Sequence, residues 1–397
     1  MSEWKIYKLR DFAEINPKIS LKQGNEYSFV EMKDLDATFK YVSPSIKKEL
    51  KGGSKFQNGD TLFARITPCL ENGKICQVKN LDNNVGFGST EFLIFRGKEN
   101  ISNSDFVYYL SRSEFVKNNA IQMMTGTSGR QRVEKSALGE LKIVAPALST
   151  QTQIAQLLAS LDDKIYLNLQ MNKTLEAMAK ALFKEWCWVE EGIVPEGWSW
   201  KKLLDIADVS SSKRIFRDEY TLDGVPFYRG KEITQLSNGQ AISTELFISK
   251  ERYSEIKERV GVPQNGDILI TSVGTIGSVW LVDNDEPFYF KDGNVTWIKD
   301  YKTTINGEFV YQWLQTKEAK EQIKSVTIGS TQQALTISAL RGLNILIPDR
   351  ETVSNVCYQL DKINAKRINN LNQIQTLTQT RDILLPKLIS GRIKIKN

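Results

Sequence analysis

Residues 59–67 read GDTLFARIT and residues 266–274 read GDILITSVG. In both, a Gly-Asp pair leads into an apolar, partly β-branched run, the pattern of a turn delivering a short strand. Working outward from these two stretches, the surroundings match as well. Upstream lie WKIYKLRDFAEI from Trp4 and WSWKKLLDIADV from Trp198; downstream lie FVYYL from Phe106 and FVYQWL from Phe309. The series continues in the same order with TGTSGRQRV from Thr125 and IGSTQQALT from Ile328, then SALGELKIVAP from Ser136 and SALRGLNILIP from Ser338, then LDDKI from Leu161 and LDKI from Leu360. A period of roughly 200 residues is too long for a solenoid, whose units run about 20–50 residues, so each copy is expected to be a domain with its own core.

The chain has 397 residues, 41% of them hydrophobic and 25% charged, which suits two globular domains with connecting elements. No run approaches the roughly 18 apolar residues that span a bilayer, and MSEWKIYKLRD is too polar for a signal peptide, so a cytoplasmic protein outside the membrane is expected. Cys69, Cys76, Cys187 and Cys357 form no CxxC pair and read as reduced thiols, with no metal site. Lys and Arg number 53 against 47 Asp and Glu, a net charge of +6. That mild surplus fits a nucleic-acid groove and a plain solvated surface equally well.

The chain contains no histidine. This removes imidazole bases, imidazole metal ligands and the Ser/His/Asp and Cys/His nucleophile pairs. Phosphate-cradling GxxxxGK[ST] and GxGxxG loops are absent too. DEPFY at Asp285 lacks the adjacent prolines of a methyltransferase loop and reads as a strand-edge turn. The expectation is a binding protein without catalytic residues and without a cofactor.

Each half divides into a mixed region and a long helix. The mixed regions carry short strand-like runs such as EFLIFR and FYFKDGNVTWI together with amphipathic segments such as SDFVYYLSRSEFVKNNAIQMM. After Pro146, a capping-box pattern at Thr150 and Gln153 opens a stripe at spacings of four and three: Ile154, Leu158, Leu161, Ile165, Asn168, Asn172, Leu175, Ala179 and Leu182. The second copy repeats it from Val353 through Leu360, Ile363, Arg367, Asn370, Ile374, Leu377 and Arg381 to Leu384, ending before Pro386. Two such stripes most simply bury each other. Asn168, Asn172, Arg367 and Asn370 interrupt the seams, where polar residues fix register between helices or else face solvent. About 35 residues per helix at about 1.5 Å each give roughly 50 Å, the span of about fifteen base pairs.

These features together resemble the specificity subunit of a type I restriction-modification system. The resemblance is carried by the repeated Gly-Asp strands, the SxLxxLxIxxP tracts, the LDxKI segments, ALFKEW at Ala181 and LLPKLISGRIKI at Leu384, and it covers essentially the whole chain. It implies an α+β fold with two mixed target recognition domains separated by two long antiparallel coiled-coil helices, as a pseudo-two-fold duplication. The expected limits are 1–147 for the first recognition domain, 148–190 for the first spacer helix, 191–350 for the second recognition domain and 351–397 for the second helix and tail. It further implies double-stranded DNA with a bipartite target, two methyltransferase subunits docked on the helices to modify an adenine in each half-site, and a restriction subunit that can join. The second helix opens with DRETVSNV and the first with STQTQI, departures from the family's pattern. A free-standing DNA-modifying enzyme or nuclease, and a protein-interaction scaffold, remain open on sequence alone.

Candidate DNA contacts follow from side-chain chemistry. Arginine can donate twice to guanine, glutamine can pair with adenine, and hydroxyls can hold phosphates. The loops after the Gly-Asp strands offer Arg65 and Thr67 in one half and Ser272 and Thr275 in the other. The glycine loops offer Ser128, Arg130, Gln131 and Arg132 against Thr331, Gln332 and Gln333, and the second half adds Lys213, Arg214, Arg229 and Lys231. For any one of them a solvated turn or an ion pair is the competing account. Trp186, Trp188 and Trp198 are expected to pack the end of the first helix against the following domain.

Overall fold

The computed structural model describes residues 4–395 except 128, 190–192, 240, 241, 243, 303 and 330–332. The chain forms two units: Met1–Gln170 with Leu371–Asn397, and Met171–Asn370.

In the first unit a five-stranded sheet has the order Ala13–Ile15, Phe92–Gly97, Thr61–Ala64, Ile75–Val78, Tyr41–Val42. The central strand comes from the Gly-Asp stretch. Gly59 takes φ 86°, a value that favours glycine, and the Asp60 carboxylate accepts from the Gln57 amide at 2.8 Å and from Arg96 at 2.7 Å through both its oxygens. A second sheet orders Ile46–Glu49, Glu26–Val30, Val85–Gly88 and Ser54–Gln57, and Lys5–Lys8 pairs with Lys142–Ala145. Leu9, Phe12, Phe63, Phe95 and the helix Ser104–Arg112 pack into one core with Ile154, Ala155 and Leu158 of the first long helix and Leu388 and Ile389 of the second.

The second unit repeats this plan. Its main sheet runs Asp208–Ser210, Val295–Lys299, Ile268–Thr271, Val279–Leu281, four strands among the described residues. Gly266 has φ 91° and the Asp267 carboxylate accepts from the Gln264 amide and the Trp297 indole, both at 2.8 Å. Ser199–Lys202 pairs with Asn344–Ile347 as its counterpart does in the first unit. The core adds Ala179 and Phe183 of the first long helix and Val353, Val356 and Leu360 of the second.

The long helices are Leu148–Cys187 and Arg350–Ile389, each of 40 residues. Within the first unit Asp162 meets Arg381 and Asn168 meets Gln373; within the second Asn172 meets Asn370 and the Arg367 carbonyl. Partner numbers fall on one helix as they rise on the other, so the two pack antiparallel. Propensity alone would leave such mixed sequences marginal as free helices; the apolar faces that each unit's core buries supply the stability.

Three details bear on the expectations. The first helix starts at Leu148, the expected limit, so the Thr150–Gln153 pattern lies inside it and does not cap it; Gln151 Nε2 donates to the Pro146 carbonyl at 2.9 Å. The second helix runs through Pro386 to Ile389; the missing N–H and ring clash disfavour this by roughly 3 kcal/mol, offset by burial of Leu388 and Ile389. Trp186 and Trp188 are exposed, at 45% and 61%, so neither forms the packing anchor anticipated at the helix end.

Equal helix lengths also set the correspondence between copies. Matched from either end, Asp162 corresponds to Asn364 and Ala179 to Arg381. The LDDKI and LDKI segments are therefore out of step, and their environments agree: Asp162 is buried whereas Asp361 is exposed.

Candidate nucleic-acid interface

The structure joins candidates that the sequence places far apart. In the first unit the strand from the Gly-Asp turn continues into a ribbon with the glycine loop. The Val133 amide donates to the Arg65 carbonyl at 2.9 Å, the Thr67 amide to the Gln131 carbonyl at 3.0 Å, and the Gln131 amide to Thr67 Oγ1 at 3.1 Å. Gly126 and Gly129 both have positive φ, which lets the loop reverse. Arg65, Thr67, Arg130, Gln131 and Arg132 thus share one edge, and Ser128 lies outside the described residues.

Two acidic residues that sequence reasoning missed decide what these arginines can do. Glu91 accepts from Arg132 through Nε at 2.9 Å and Nη2 at 2.6 Å, and Glu134 accepts from Arg65 Nη2 at 2.9 Å. Arg132 Nη1 also reaches the Arg130 carbonyl at 3.3 Å. The hydrogen bond that Arg132 donates to Glu91 pushes the Arg132 pKa up, and planar fork geometry makes such a pair directional. Arg132 is consequently a strut across the ribbon. Arg130 is exposed and its guanidinium has no partner among the described residues, which leaves it free for an external acceptor.

The second unit makes the same backbone bonds with other side chains. Ser272 donates its amide to the Asn294 carbonyl at 2.8 Å and accepts from the Leu335 amide at 2.9 Å, as Arg65 does with Glu91 and Val133. Val273 bridges Ala334 where Ile66 bridges Arg132. Ser272 therefore stands where Arg65 stands, Asn294 where Glu91 stands, and Ala334 where Arg132 stands. These three positions carry neutral side chains, and one of them, Asn294, lines a cleft of about 460 Å³.

That cleft gathers Arg229 and Lys231 at the start of the helix Gly230–Ser237 with Thr275, three of the anticipated residues, and adds Thr234, Gln235 and Asn294. Gln235 Oε1 is buried without a partner among the described residues. Arg229 is tied to the buried Glu232 at 2.8 Å, and Lys231 and Thr275 are exposed. Ser272 does not join them as a free donor: it is 4% exposed and its hydroxyl bonds Thr296 Oγ1 at 2.6 Å. Arg214 pairs with Asp292 at 2.8 Å, and the Lys213 amide donates to the Tyr289 hydroxyl at 2.7 Å. Gln333 is exposed, while Thr331 and Gln332 lie outside the described residues.

The described residues offer no cluster of three or more Cys, Asp or Glu able to hold a metal ion, and none of their helices is long and apolar enough to cross a membrane. Against known families, the type I restriction modification DNA specificity domain matches residues 1–177 and again 195–386. The chain belongs to this family.

Among relatives, the HindI specificity subunit of Haemophilus influenzae is 26% identical over 99% of this chain and 100% of that protein. The MjaIX specificity subunit of Methanocaldococcus jannaschii is 27% identical over 99% of this chain and 94% of its own length. In fold, the chain is similar to the crystal structure of the type I restriction-modification S subunit from M. genitalium, with a TM-score of 0.56, 16% identity and coverage of 98% and 96%. The chain is accordingly a DNA specificity subunit of a type I restriction-modification system, the component that recognises DNA without catalysing its modification. The two glycine-loop edges share their backbone bonds and differ in side-chain chemistry.

Proposed function

We propose that each recognition domain, residues 1–147 and 191–350, reads one half of a bipartite duplex site, and that the helical segments 148–190 and 351–397 set the gap. The observation that carries this is the pair of ribbons with the same backbone bonds and different side chains: Arg65, Glu91 and Arg132 in one, Ser272, Asn294 and Ala334 in the other. A common frame with exchanged side chains is what two different half-sites require. Arg130 and Gln131 are the base readers of the first half, with Arg65 and Arg132 as struts and Thr67 and Ser128 toward phosphate. Lys231, Thr275, Thr331, Gln332 and Gln333 serve the second, supported by Lys213, Arg214 and Arg229. Ser272 has a structural role only. Asn168, Asn172 and Asn370 hold interhelix register, with the Arg367 carbonyl as an acceptor.

Two methyltransferase subunits dock on the helices and present a pocket to an extruded adenine, and restriction subunits join the assembly in the cytoplasm. A 40-residue helix has a contour of about 60 Å at about 1.5 Å per residue. Inserting one helical turn into both helices and mapping methylated sites with the partner methyltransferase tests the reading. The gap changes while both half-sites persist; an unchanged gap refutes the ruler.

A further inference from the structure

A polar pocket of about 190 Å³ lies in the second unit, where both long helices meet the helix Gly307–Gln315. Its lining includes Ala179, Glu308, Tyr311, Gln312, Asn364 and Arg367. Glu308 is 7% exposed, and its Oε2 has no partner among the described residues; Oε1 accepts from Gln312 at 3.0 Å. Arg367 is already engaged by Asp283 at 3.2 Å and Asn364 at 2.9 Å. Lys180 and Lys320 belong to the lining but are exposed and leave Glu308 Oε2 unpaired.

The first unit shows what fills the equivalent place. The helices Ser104–Arg112 and Gly307–Gln315 correspond end to end, each of 9 residues capped by an asparagine, so Asp105 matches Glu308 and Tyr109 matches Gln312. Asp162 matches Asn364 and Arg381 matches Ala179. In the first unit Arg381 donates to Asp162 at 2.7 Å and to the Thr38 carbonyl at 2.9 Å, Tyr109 donates to Asp162 at 2.6 Å, and Lys40 donates to Asp105 at 2.9 Å. Lys40 enters from the segment leading to the strand Tyr41–Val42, the fifth strand of that sheet. The second unit's main sheet has four strands among the described residues, and Ala179 carries only a methyl where Arg381 carries a guanidinium. Arg367 on Asn364 stands in for Arg381 on Asp162, but among the described residues nothing matches Lys40, so the Glu308 carboxylate keeps no cation of its own. Burial raises the Glu308 pKa, and Asp361 and Asp283 add to that, against Arg367.

We propose that this pocket receives an arginine side chain of a bound protein subunit, whose guanidinium pairs with Glu308 and restores from outside the cation that Lys40 supplies from inside in the first unit. An arginine fits better than a bare ion because its planar fork can meet the Glu308 carboxylate while its face lies against the Tyr311 ring that also lines the pocket. The inference rests on reading the chain as one subunit of an assembly.

The test uses the full chain and its partner methyltransferase, with agmatine as a free guanidinium probe. Ala179→Arg fills the pocket from within, and Glu308→Gln removes its charge at nearly constant volume. Each raises the Kd of methyltransferase association at least tenfold without lowering the unfolding temperature, and agmatine competes with the methyltransferase for the parent chain but not for Glu308→Gln. Unchanged association in both variants overturns the proposal; if agmatine still binds in a Glu308-dependent way, the ligand is a free guanidine and the subunit assignment falls. Loss of fold in Ala179→Arg leaves Glu308→Gln to decide. If the parent chain and methyltransferase do not associate at all, the functional reading fails instead.

Discussion

Arg381 Nη1 lies 2.7 Å from Asp162 Oδ1, with the two side chains 2% and 1% exposed, so one arginine near the end of the second long helix neutralises a carboxylate buried on the first. The same arginine reaches the Thr38 carbonyl of the recognition domain, and Tyr109 completes the carboxylate from the other side. Helix to helix and helix to domain are thereby fixed through one guanidinium.

Arg381→Ala should therefore destabilise the first unit by about 3–5 kcal/mol, the usual effect of stranding one member of a buried pair. Hydrogen exchange under mild denaturant checks it. Amides of the first unit lose protection while those of the second keep theirs; a change below about 1 kcal/mol would mean water replaces the guanidinium at little expense.

The interhelix asparagines make a second case. Asn370 Nδ2 donates to Asn172 Oδ1 at 2.8 Å, and both residues are buried. Asn172→Leu alone strands an amide and should cost about 1–3 kcal/mol, whereas Asn172→Leu with Asn370→Leu should regain most of that loss. A double-mutant cycle from denaturation midpoints measures the coupling, and additive effects would show that the pair is not a unit.

Much of this architecture was legible in the sequence because duplication and heptad spacing are long-range patterns that survive divergence. The Gly-Asp stretches became central strands, and the polar seam residues Asn168, Asn172 and Asn370 turned inward. What was not legible depends on three-dimensional pairing. Ser272 and Arg65 look alike as loop residues, yet one is buried against Thr296 and the other is tied to Glu134. Glu91 and Asn294 stand just ahead of matched strands and carry no motif, so only the ribbon reveals that one braces an arginine and the other lines a cleft. The LDxKI match misled because a conserved-looking string on a helix says nothing about which face it occupies.

Glu308 makes stability depend on pH. Burial, its largest influence, raises the carboxyl above 4.5, with Asp361 and Asp283 raising it further and Gln312 and Arg367 opposing. A folded-state value above the unfolded one means the contribution is fully present below the unfolded value and is lost as pH rises through the folded one. In the isolated chain, Glu308→Gln should gain stability relative to the parent as pH rises above the unfolded carboxyl's ordinary value. Denaturation midpoints across a pH series check the sign; a parent that gains on the variant as pH rises would contradict it.

The two arginines of the glycine loop should separate cleanly in DNA binding. Arg132 spends Nε and Nη2 on Glu91 and Nη1 on the Arg130 carbonyl, whereas the Arg130 side chain is exposed and unpaired among the described residues. Arg130→Ala should lose about 1–3 kcal/mol of discrimination at one position of the first half-site and leave the second half-site unchanged, as expected for a lost bidentate base contact. Arg132→Ala should instead loosen the ribbon and weaken the first half-site at every position alike, and Glu91→Gln should do the same without removing an arginine. Binding of the assembled complex to duplexes randomised one position at a time distinguishes these outcomes. Position-specific loss in Arg132→Ala with uniform loss in Arg130→Ala would reverse the assignment of reader and strut.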